Sequence, residues 1–176
     1  YSHFNNLQST AVVLGVIIGF ISSAGFVQVL GKQVSYYWYN KDYHMAKHST
    51  VQIIKNGTIA ILGFFIFSLL INLVIPLYSL LFVVITFIYA LFIGFLLLVL
   101  APLYALKQRW MLSFSVFAGT VLALLLHFYT DLHPYYIHWT GILVASLISV
   151  GYIYSFFHFK LKNETAVKKK PKVMLS

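Results

Sequence analysis

The sequence predicts an all-α, polytopic transmembrane helical bundle of about five spans. Three observations predict it. Of the 176 residues, 61% are hydrophobic, 18% aromatic and only 9% charged, with a mean hydropathy of +0.88. A soluble domain carries about 45–50% apolar and about 25% charged residues, and one small core cannot hide this surplus. Next, no charged residue occurs from Thr58 to Leu106. Finally, apolar residues run consecutively, as at Leu97-Leu98-Val99-Leu100 and Leu124-Leu125-Leu126, where barrel strands would alternate. A helix satisfies its own backbone in lipid, so helices are expected.

Each span follows from a bilayer core about 30 Å thick, which takes roughly 20 apolar residues. Ala11 to Leu30 is the first, 11–30. The uncharged run 58–106 would make a helix of about 74 Å, so it must fold back. Asn72, Pro76, Tyr78 and Ser79 mark the turn, because Pro76 removes a backbone donor and the others suit a headgroup level. This gives spans 58–75 and 80–101, the latter ended or kinked by Pro102. Spans 111–129 and 139–157 follow. Between the first two, loop 31–57 is read as a continuation of span one, a turn at Asn40–Asp42, and a helix from Tyr43 to Lys55 that leads into span two. The chain thus divides into a bundle, 1–158, and a basic tail, 159–176.

All twelve basic residues fall in alternate connections. Four lie in 31–57 (Lys32, Lys41, Lys47, Lys55), Lys107 and Arg109 in 107–110, and six from Lys160 onward, including Lys168, Lys169 and Lys170. Segments 1–10, the turn near Pro76 and 130–138 have no Lys or Arg. Five spans put the basic segments on one side. The positive-inside rule makes that side cytoplasmic, with the N-terminus outside. Lys107, Arg109 and the lysine tail therefore set topology and meet lipid headgroups, each worth about 1 kcal/mol near an anionic surface. The net charge of +9 then requires no nucleic acid partner.

Within the spans, Gly15-x-x-x-Gly19-x-x-x-Ser23 is a small-residue face that lets a second helix approach closely. No Asp, Glu, Lys or Arg lies in any span, which argues against a pump, voltage sensor or proton relay. Asn72, Thr86 and His127 are the polar residues expected at a cavity or helix interface. His127, Asp131, His133 and His138 fit no standard zinc spacing and are read as part of an interfacial aromatic belt. His44 and His48 lack the Glu of a His-Glu-x-x-His site. The sequence has no P-loop, no nucleophile elbow and no carboxylate pair. No catalytic, cofactor or metal residue is expected, nor an enzyme. Cysteine is absent, so no disulfide or thiolate site exists.

Several stretches resemble one family. Tyr39-Asn40-Lys41-Asp42-Tyr43-His44-Met45-Ala46-Lys47 is similar to the basic loop between the eighth and ninth spans of flippases in the multidrug/oligosaccharidyl-lipid/polysaccharide superfamily, particularly the Wzx and Pel types. Lys55 to Pro76 resembles their ninth span, and Leu103 to Arg109 the short turn after the tenth. Gly141-Ile142-Leu143-Val144-Ala145-Ser146 resembles the approach to the last span, although the first glycine of that motif is replaced in the region of His138-Trp139-Thr140. The resemblance covers nearly the whole chain as spans eight to twelve. It implies a V-shaped bundle exposing a cavity to each side in turn, a lipid-linked glycan as substrate, and a place in polysaccharide biosynthesis at the bacterial plasma membrane. Family cavity cations have no counterpart here, so none is carried over.

The expected function is a transport module of a polysaccharide or lipid-linked oligosaccharide flippase working by alternating access. Its partners would be membrane lipids and further N-terminal spans. An odd span number and an abrupt start at Tyr1 suit the C-terminal part of a longer chain. The alternative is an accessory subunit of a larger membrane complex, held by the Gly15/Gly19 face.

Overall fold

Charge-free apolar stretches separated by short polar turns leave the backbone one economical solution, antiparallel helices. The computed structural model describes residues 6–76 and 78–169, with side chains within 7–162. The described residues are all-α and form five helices: α1 (Asn6–Tyr39), α2 (Tyr43–Val74), α3 (Leu80–Ala105), α4 (Arg109–Tyr129) and α5 (Pro134–Lys169). No strand occurs among the described residues. All five helices are long and apolar enough to cross a membrane, and the chain is an integral membrane protein.

The helix ends have local causes. Asp42 caps α2, its carboxylate accepting the Met45 N–H at 3.0 Å. Ser79 caps α3, accepting from the Phe82 N–H at 3.4 Å. At the turn between these two helices, the Asn72 amide takes the place of a backbone pair. Its Nδ2 donates to the Tyr78 carbonyl at 3.1 Å, and its Oδ1 accepts the Tyr78 N–H at 3.0 Å. Pro102 does not end α3. It lies buried within the helix, which continues to Ala105. Helix α5 starts at Pro134, ahead of the expected Trp139, and runs beyond Phe157 to Lys169. Proline suits a first turn, where its missing N–H costs nothing. The basic tail thus begins inside a helix; the Lys168, Lys169 and Lys170 side chains lie outside the described residues.

Packing is organised by small residues four apart. On α1, Ala11, Gly15, Gly19 and Ser23 are all buried, and Gly15 and Gly19 lie directly against α3. A Cβ at Gly15 would strike the Thr86 carbonyl and come within 2.7 Å of Tyr89 Cβ; one at Gly19 would lie 2.8 Å from the Ala90 carbonyl. On the other side, Ser115 and Gly119 of α4 meet Gly141, Ala145 and Ser149 of α5 along buried stripes. Here two glycines abut: a Cβ at Gly141 would lie 2.9 Å from the Gly119 carbonyl, and one at Gly119 would strike the Gly141 carbonyl. Buried hydroxyls on these stripes turn back to their own helices. Ser23 Oγ donates to the Gly19 carbonyl at 2.7 Å, and Ser149 Oγ to that of Ala145 at 2.9 Å. Their hydrogen bonding is met without a partner helix.

Two tight pairs result, α1/α3 and α4/α5, with α2 packed along the first. They join most firmly at the end that carries the basic turns. The main core there holds Leu30, Val34, Val99, Leu103, Ile153 and Phe157 from α1, α3 and α5, together with Ala46 of α2. Tyr152 O–H on α5 donates to Gln108 Oε1 in the α3–α4 turn at 2.9 Å. Among the described residues, the backbones of α1 and α4 make no close approach at either end. That separation creates the site.

Candidate functional site: an apolar cavity between two helix pairs

The cavity has a volume of about 740 Å³. Val12 and Val16 of α1 and Ile93 and Leu96 of α3 form one wall. Val116, Thr120, Ala123 and Leu124 of α4 form the other, and Ile137 and Ile142 of α5 the back. It exists because the glycine contacts hold α4 to α5 and α1 to α3, while no small-residue face draws α1 to α4. Its polar side chains are few: Tyr89, Thr120, His127 and His138. Thr120 Oγ1 donates to the Val116 carbonyl of its own helix at 2.9 Å. The walls therefore suit hydrocarbon, with a small polar group at one end.

An aromatic cluster closes that end. Tyr89 lies at its centre, buried, with its hydroxyl 3.1 Å from His138 Nδ1. Its ring meets those of Tyr135 (centroids 6.4 Å apart) and Trp139 (5.9 Å) edge-on. Tyr135 and Trp139 stack on each other at 5.9 Å, and Phe92 packs edge-on to Trp139 at 6.2 Å. Ala11, Phe82 and Ile85 complete this small core, so it bridges α1, α3 and α5. Trp139 Nε1 is buried there with no acceptor. Such an unmet donor costs about 1–3 kcal/mol.

The residues singled out by sequence are distributed over two places. His127 lines the main cavity from the last turn of α4. Asn72 and Thr86 line a second groove, of about 270 Å³, between α1, α2 and α3. Asn72 is committed to its turn, whereas Thr86 Oγ1 is buried and finds no partner. Gly15 and Gly19 form the α1/α3 contact, with Gly15 against Tyr89 itself, and Ser23 is buried one turn further along α1. Lys107 and Arg109 stand at the opposite, basic end, each over an aromatic ring. Of the histidines around the α4–α5 loop, His127 and His138 share the main cavity, and His133 does not line it. His133 stacks on Tyr135 at 4.5 Å, His127 packs against Phe128 and His138 faces Tyr89. Among the described residues, no three His, Asp or Glu side chains gather where they would hold a metal ion.

Sequence reasoning missed the Gly119/Gly141 contact and the Tyr89–His138 pair. The first has a signal, Ser115-x-x-x-Gly119 facing Gly141-x-x-x-Ala145-x-x-x-Ser149. The second has none, because it depends on how α3 and α5 cross. Comparison with profiles of protein families, with curated proteins and with solved structures finds no match for this chain.

Proposed function

We propose that the chain is a transport module that passes an amphipathic, lipid-borne molecule across the membrane by alternating access. The cavity between the two helix pairs carries this reading. It is apolar, large enough for a stretch of hydrocarbon chain, and bounded at one end by a closed aromatic cluster. Each pair is locked by glycine contacts and so moves as a unit, while the firm core at the basic end is where a hinge belongs. The closed cluster leaves Trp139 without an acceptor, so opening it toward water or headgroups recovers a hydrogen bond. In this reading the basic end is cytoplasmic. The loop and turn resemblances favour a lipid-linked glycan, as in polysaccharide export at a bacterial plasma membrane. The sugar would then be held by partner spans, because these walls are apolar.

The test fills the cavity. Thr120→Trp places a large ring into it from an exposed position, while Phe117→Trp, on the lipid-facing side of the same helix, is the control. Proteoliposomes containing the full assembly are given a fluorescent polyprenyl-phosphate-linked sugar, and translocation is read by dithionite bleaching. The module reading expects Thr120→Trp to block translocation and Phe117→Trp to leave it intact. Equal rates in both would remove the cavity from the pathway. The accessory-subunit reading would then stand, carried not by the Gly15/Gly19 face, which is buried against α3, but by the apolar outer face of α2, where Phe64, Ile66, Phe67, Leu70 and Leu73 are all exposed.

A further inference from the structure

The two turns at the basic end share one backbone design. After α1, the Lys41 N–H donates to the Trp38 carbonyl at 3.1 Å and the Asp42 N–H to that of Tyr37 at 2.9 Å. After α3, the Lys107 N–H donates to the Tyr104 carbonyl at 3.1 Å and the Gln108 N–H to that of Leu103 at 2.8 Å. Both are Schellman closures, whose pivotal residue adopts the left-handed conformation and is usually glycine. Here both pivots are lysine, with φ of 58° at Lys41 and 60° at Lys107. Either turn would form more easily with glycine, yet each places a cation there.

The surroundings are built for the same charge. Lys107 Nζ sits 5.3 Å from the Tyr39 ring centre, which joins the second turn to the end of α1. Lys160 of α5 sits 5.6 Å from the Trp38 ring, and Lys47 of α2 lies 5.7 Å from that of Tyr154. Cations from α5 and the α3–α4 turn are thus seated on rings at the end of α1, and one from α2 on a ring of α5. Carboxylates do not balance them. The chain has three: Asp131 lies in the loop at the far end, the Glu164 side chain is outside the described residues, and Asp42, next to Lys41, caps α2 with a single negative charge against four lysines. Trp38 and Tyr39 mark the level where hydrocarbon gives way to headgroups.

We infer that Lys41 and Lys107, supported by Lys47 and Lys160, form a binding site for the phosphodiester headgroup of an anionic phospholipid. A phosphate between the two turns would meet cations from both and tie the α1–α2 hairpin to the α3–α4 hairpin. The site is independent of the transport reading, since it lies at the opposite end from the aromatic cluster.

Glycine supplies an unusually clean test, because Lys41→Gly with Lys107→Gly removes both cations while suiting both turns. Thermal unfolding of the full chain in neutral detergent is followed after adding phosphatidylglycerol, phosphatidylcholine or inorganic phosphate. Phosphatidylglycerol raises Tm in the wild type, and the other two do not. In the double variant its apparent affinity falls roughly tenfold to thirtyfold, while Tm without added lipid is kept or raised. Lys41→Asn with Lys107→Asn, which also tolerates the left-handed conformation, gives the same result should the glycine pair loosen the turns. An equal shift with phosphatidylcholine, an equal shift with phosphate alone, or a full phosphatidylglycerol shift in the double variant would each overturn the site.

Discussion

A methyl group at Gly15 would have nowhere to go, since its neighbours are the Thr86 carbonyl and Tyr89 Cβ, both fixed to the α3 backbone. Gly15→Ala is therefore expected to cost about 1–3 kcal/mol, the usual range for overpacking. Gly25 is the contrast, because a Cβ there meets nothing within 4 Å. Gly25→Ala should stabilise the helix by roughly 0.5–1 kcal/mol. Unfolding in detergent by increasing SDS reads both, and a loss at Gly25 equal to that at Gly15 would contradict the packing described. Tyr89→Phe tests the cluster. It removes the hydroxyl facing His138 and should cost about 0.5–1.5 kcal/mol in the same measurement. The Gly15/Gly19/Ser23 face was legible because small residues four apart have one physical use in lipid. The left-handed Lys41 and Lys107 were not, since the sequence signal for that conformation is glycine or asparagine.

Among the elements, the pairing of α4 with α5 rests on reciprocal glycines. Gly141→Val would push its side chain onto the Gly119 carbonyl and Ala123 Cβ. Expected is a loss of about 1–3 kcal/mol together with faster proteolysis of the loop between α4 and α5. An unchanged SDS midpoint would show that the two helices are not held this way. Number, order and approximate limits of the helices were readable from sequence, because a charge-free run too long for one crossing has to turn at Pro76. Several limits were not, among them the far end of α5, which passes Phe157. Pro102 reads in sequence as a stop or a kink, and it lies within α3, where a proline late in the helix is accommodated in the packed end. The start of α5 looked like Trp139, because hydropathy begins there, whereas the helix starts with the backbone advantage of Pro134. Which helix lies against which was beyond hydropathy. It is decided by where small-residue faces meet, and of these only that of α1 is expected from sequence.

At the scale of the molecule, two locked helix pairs share a firm core at the basic end and enclose an apolar cavity bounded by aromatic residues at the other. Alternating access requires the pairs to hinge at the basic end and the Tyr89–His138 cluster to open. Double electron–electron resonance tests this most directly. One spin-label pair, at Val13 of α1 and Tyr136 of α5, reports the cluster end. A second, at Tyr36 of α1 and Phe159 of α5, reports the basic end; all four positions are exposed. The account predicts two distances for the first pair, with the longer gaining population in Tyr89→Phe, and one unchanged distance for the second. A single distance at the cluster end, unmoved by Tyr89→Phe, would contradict it.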